Sequence, residues 1–161
     1  MFGFSIDLPV RKEWKNVDLL RTSVQTCFSA VFQDLNGCDA LSMITGELLE
    51  NAMKYGSWDD TTYTVFRLKI EGTTETATVT VQNPIVVDSD DVKKLFATVE
   101  WIASFDQPIE AYRARLREIA GRDGSNTDSQ LGLVRVAYEG GASLKATLEG
   151  DSVIVSAQLD L

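Results

Sequence analysis

Thr45-Gly46-Glu47-Leu48-Leu49-Glu50-Asn51-Ala52-Met53-Lys54-Tyr55-Gly56 decides how the rest of this chain reads. At 3.6 residues per turn, Glu47, Asn51 and Lys54 stand at i, i+4 and i+7 and share one face of a helix. Leu41, Ile44, Leu48, Ala52 and Tyr55 form an apolar stripe beside them, so a helix is expected from about Asp39 to Tyr55, closed by Gly56. A carboxylate, an amide oxygen and an ammonium in line suit a metal–phosphate site. The carboxylate can orient or deprotonate a nucleophile, the amide oxygen can ligate Mg²⁺, and the lysine can neutralise a phosphate. Spacing alone leaves a second reading open, a solvated face on which Glu50 and Lys54 form an i, i+4 ion pair.

Working outward, Phe2, Phe4, Ile6 and Leu8 alternate with Gly3, Ser5 and Asp7, the period of a half-buried strand ended by Pro9. From an N-cap at Asn16, apolar residues recur at helical spacing between Val17 and Leu35 until Asn36-Gly37. Beyond Gly56, Thr61–Ile70 and Thr76–Asn83 alternate around Glu71–Glu75 as a hairpin. Two helical stripes follow, Val92 to Ile102 and Ile109 to Ile119, with Arg113, Arg115 and Arg117 expected on a solvated face of the second. The stretch Gly121–Gln130 reads as a polar, glycine-punctuated loop. A short helix from Leu131 to Glu139 and a closing hairpin, Ser143–Leu148 with Ser152–Leu159, complete the pattern. The order β-α-α-β-β-α-α-α-β-β is that of an α+β fold. We expect a single domain over 1–161, a two-layer α/β sandwich with a mixed sheet and its helices on one face.

Composition narrows the chemistry. The chain has 161 residues, 44% hydrophobic and 24% charged, which fits a globular protein and excludes wholesale disorder. It has no histidine, so a Ser-His-Asp triad, a His-ligated zinc and a phosphohistidine are excluded. With 24 acids against 15 bases the net charge is -9, opposed to nucleic-acid binding. No run approaches a membrane span, Met1–Val10 lacks a signal-peptide pattern, and Cys27 and Cys38 form no disulfide framework, so a cytoplasmic protein is expected.

The stretch Glu47-Leu-Leu-Glu-Asn51-Ala-Met-Lys54-Tyr resembles the N-box, E-L-x-x-N-A-x-K-[YH], of the histidine-kinase-type ATPase superfamily (Bergerat fold). The order of elements agrees with that superfamily over nearly the whole chain. The similarity is greatest to the small anti-sigma-factor serine kinases and related partner-switching proteins. The resemblance implies a catalytic glutamate at Glu47 and a Mg²⁺-binding asparagine at Asn51, with ATP and Mg²⁺ as cofactors. Two further boxes depart from the family pattern. Asn83, followed by Pro84, stands where the adenine-reading aspartate and its glycines would be. Gln130-Leu131-Gly132-Leu133 keeps only Gly132 and Leu133 of the second glycine box.

The resemblance implies two functions. One is a regulatory module that binds a STAS-domain anti-sigma antagonist or a sigma factor, with ATP binding weakened or lost. The other is a Mg-ATP-dependent serine/threonine kinase acting on that partner. In the kinase, Glu47 serves the attacking hydroxyl, Asn51 holds Mg²⁺, Lys54 steadies the phosphates, and Asn83 and Gly132 line the pocket. The apolar run Phe2–Leu8 permits a homodimer.

Overall fold

The structure, a computed structural model, describes residues 2–58, 65–121 and 131–161. Its order is β1 (Gly3–Pro9), α1 (Lys15–Ser29), α2 (Leu35–Tyr55), β2 (Arg67–Thr73), β3 (Thr76–Pro84), α3 (Asp90–Ala103), α4 (Pro108–Ala120), α5 (Leu131–Tyr138), β4 (Ser143–Glu149) and β5 (Ser152–Asp160). This is the sequence-predicted order. The expected loop over 122–130 and the start of the expected strand, 61–64, lie outside the described residues.

The strands form one sheet in the order β1-β2-β3-β5-β4. Strict alternation makes it two-faced. Leu68, Ile70, Val79, Val81, Val153 and Ala157 are buried toward the helices, while Arg67, Lys69, Thr78, Thr80 and Gln158 line the other face. The two-layer α+β sandwich therefore holds, but the expectation of a mixed sheet does not. All four described pairings are antiparallel. The cause is the order in which the closing hairpin joins the sheet. β4 runs in the same direction as β3, but β5, its antiparallel partner, is the strand inserted beside β3. β5 presents Val153, Val155, Ala157 and Leu159 to the core, whereas β4 offers half-buried Leu144 and Ala146 and suits an edge.

Helix α2 is the spine of the helical layer. It buries ten residues, from Cys38 to Met53, and packs on both α1 and β3. It begins earlier than the apolar period suggests, and α1 stops sooner. Asp34 caps α2 by accepting a hydrogen bond from the Asn36 amide at 2.9 Å, which places Asn36-Gly37 inside the first turn. Val31 and Leu35, expected on the core stripe of α1, are exposed. Asn16 is not a cap either: α1 starts after Trp14, and Asn16 Nδ2 donates to the Arg11 carbonyl at 2.8 Å.

Candidate functional site

Glu47 and Asn51 lie one turn apart on α2, and α5 crosses them. A Cβ on Gly132, in the first turn of α5, would collide with Glu47 Oε2 and come within 3.9 Å of Asn51 Nδ2. A side chain at 132 would have to displace the Glu47 carboxylate. Three of the five expected site residues therefore meet at one junction. Lys54 lies one turn further along α2 but is exposed, and it forms no ion pair with Glu50 among the described residues.

Glu47 is held by a residue the sequence reading passed over. Arg135 Nη1 donates to Glu47 Oε1 at 2.6 Å, and its Nε donates to Glu139 Oε2 at 3.0 Å. The Glu47 side chain is only 15% exposed. Burial pushes the Glu47 carboxyl above its usual range. Arg135 and Lys54 oppose that shift, and the nearby charges of Glu50 and Glu139 add to it. The i, i+4 spacing of Arg135, on α5, and Glu139, just past its end, is legible in the sequence. The bond across 88 residues to Glu47 is not.

Asn83 lies where its phase predicts, on the buried face of β3 with Ala77, Val79 and Val81. Its Nδ2 donates to the Pro84 carbonyl at 3.1 Å and approaches Gly56, where a Cβ would come within 2.9 Å of it. Gly56 ends α2 in extended backbone, so close approach and not left-handed geometry requires glycine there.

Asn51 and Asn83 line a cleft that α3 borders. Val92 and Leu95 of α3 line, with Ala52, Asn83, Val153 and Val155, a partly open cavity of about 20 Å³. A neighbouring cavity of about 30 Å³ is lined by Asn51, Asp91, Lys94, Leu95 and Thr98. Each has room for about one water, against the roughly 300–1,000 Å³ of pockets that take cofactor-sized ligands. Asn51 Nδ2 is buried at this junction with no hydrogen-bond partner among the described residues. On the α1 side of α2, a larger polar cavity of about 200 Å³ is bounded by Arg21, Asp39, Ser42, Glu50, Glu47 and Arg135. Among the described residues, no three Cys, Asp or Glu side chains converge as metal ligands. No described helix is long and apolar enough to cross a membrane.

No protein-family model and no curated protein matches this chain. Its fold is similar to that of a chain in the crystal structure of the SiaB-SiaC complex from Pseudomonas aeruginosa. The TM-score is 0.66 at 17% identity, covering 98% of this chain and 89% of that one. A likeness at this identity establishes the fold.

Proposed function

We propose that this protein is a regulatory component of a partner-switching system, built on a histidine-kinase-type ATPase scaffold. It acts by binding a STAS-domain anti-sigma antagonist or a sigma factor in the cytoplasm, with nucleotide binding weakened or lost. The observation that carries the reading is the small size of the cleft beside α3. Apolar Val92 and Leu95 line it with Asn51 and Asn83, where a nucleotide pocket would have to open. The residues present do not fit a magnesium nucleotide. The two cavities that Asn51 lines are water-sized, Pro84 lacks an amide donor at the β3 end, and Glu47 already has a cation of its own.

Association with a protein is supported by the occurrence of a chain of this fold in a two-protein complex, SiaB with SiaC. Loss of glycine boxes leaves the sheet-and-helix scaffold available for such an interface. The test is calorimetry against the STAS-domain proteins encoded in the same genome, with Mg-ATP absent and then present. Saturable binding without nucleotide is expected. Absence of binding under both conditions contradicts the proposal.

The kinase reading draws support from one feature, the meeting of Glu47, Asn51 and Gly132 at a single junction. It requires Glu47 to exchange Arg135 for a substrate hydroxyl, and α3 to move off Asn51. Transfer of labelled phosphate from Mg-ATP to the bound partner would establish it.

A further inference from the structure

We infer that the outward face of α4, formed by Arg113, Leu116 and Arg117, is the surface that meets the protein partner. It fits an acidic face that presents two carboxylates about one helical turn apart with an apolar side chain beside them. The inference rests on the partner-binding reading above and assigns that binding a surface.

The apolar period of α4 would bury Ile109, Tyr112, Leu116 and Ile119 together. Instead Ala111 and Arg115 are its buried residues, and Leu116 is left 41% exposed. The Arg115 guanidinium packs 4.6 Å from the Trp101 ring and takes Glu118 at 3.1 Å. On the outward side Arg113 and Arg117 are both exposed, one turn apart, with Leu116 next to them. Neither guanidinium has an ion pair or hydrogen bond among the described residues. The other five described arginines, at 11, 21, 67, 115 and 135, each hold a carboxylate. Glu110, on the same face, turns back to accept from the Gln107 amide at 3.3 Å. In a chain with 24 acids and 15 bases, two arginines that repel each other at i, i+4 and hold no acid are therefore open to external carboxylates. The guanidinium fork is weakly hydrated and binds a carboxylate through two parallel bonds, and arginine beside exposed apolar surface is the composition of protein interfaces.

Reversing the charge on this face alone tests the assignment. The STAS-domain proteins of the same genome are titrated by calorimetry with wild type, with Arg113→Glu/Arg117→Glu, and with Lys93→Glu/Lys145→Glu. The last pair reverses two exposed cations on α3 and β4 that also lack an ion pair among the described residues, so both doubles change the net charge equally. Arg113→Glu/Arg117→Glu is expected to weaken binding at least about tenfold, because like charges then face each other, and the lysine double is expected to weaken it less. A loss below tenfold, or an equal loss in the lysine double, overturns the inference while the partner-binding reading stands. Absence of binding by wild type overturns both. Far-ultraviolet circular dichroism checks that each variant is folded. If the charge reversal unfolds α4, Arg113→Gln/Arg117→Gln replaces it, with a loss of at least about threefold expected and a smaller one overturning the inference.

Discussion

Glu47 is an anion whose burial outweighs the help it receives. Its folded pKa lies above the ordinary 4.5, with desolvation the largest cause. The sign follows from linkage. The folded protein holds this proton more tightly than the unfolded chain, so the group's contribution to stability is complete below pH 4.5. That contribution is lost as pH rises through the elevated folded value. The groups facing Glu47 are Arg135 from α5, Glu139 just past its end, and Glu50 and Lys54 from α2. Glutamine at this position has no such dependence. Urea unfolding of wild type and Glu47→Gln, compared between about pH 4 and pH 7, should show the wild-type advantage shrinking as pH rises. A wild-type advantage that grows with pH would mean that attraction to Arg135 outweighs burial. At this scale the sequence was legible for Asn83, whose strand phase alone assigns it to the buried face. It was blind to Arg135, because nothing local marks a partner 88 residues distant. Arg115 misled for a similar reason: its guanidinium packs 4.6 Å from the Trp101 ring and is buried, although charge patterning assigns it to solvent.

Among the elements, α2 was readable because its apolar positions recur for about four turns and Gly56 ends it, whereas its start was not. The Asp34 cap outweighs the break signalled by Asn36-Gly37, since one side-chain acceptor satisfies an amide that would otherwise be orphaned. The role of α3 was also hidden. Its stripe of Val92, Leu95, Phe96, Val99 and Ile102 announces an amphipathic helix but not which surface it covers. The helix packs on β4, α4 and α5, and its Val92 and Leu95 border the cleft lined by Asn51 and Asn83. α3 is anchored at its start by Ser89, whose Oγ accepts from the Val92 amide at 3.3 Å, with Asp90 and Asp91 favourably placed in the first turn. Ser89→Ala should cost about 0.5–2 kcal/mol. Amide hydrogen exchange should locate the loss, with faster exchange in α3 and unchanged protection in the middle of α2. Uniform acceleration across both helices would mean that α3 is part of one cooperative core and not a separable cover.

For the whole molecule, element order carried the architecture, because alternation and helical period are separately readable in each segment. Strand direction was not readable, since the same two hairpins could join the sheet through β4, giving a mixed sheet, or through β5, as they do. The five expected site residues divide along similar lines. Glu47, Asn51 and Gly132 converge, Asn83 lies across the cleft from Asn51, and Lys54 remains in solvent. A net charge of -9 adds a diffuse repulsion against any polyphosphate. The small cavities beside α3, a pinned carboxylate and surplus negative charge support the proposed reading of a scaffold kept for association with nucleotide binding lost.

That central claim is tested most directly by the melting temperature with and without millimolar Mg-ATP. A folded-state ligand at 100 times its Kd adds about 2.7 kcal/mol, which moves the midpoint of a chain this size by several degrees. The account predicts a midpoint that does not move, and a saturable rise with nucleotide concentration would contradict it.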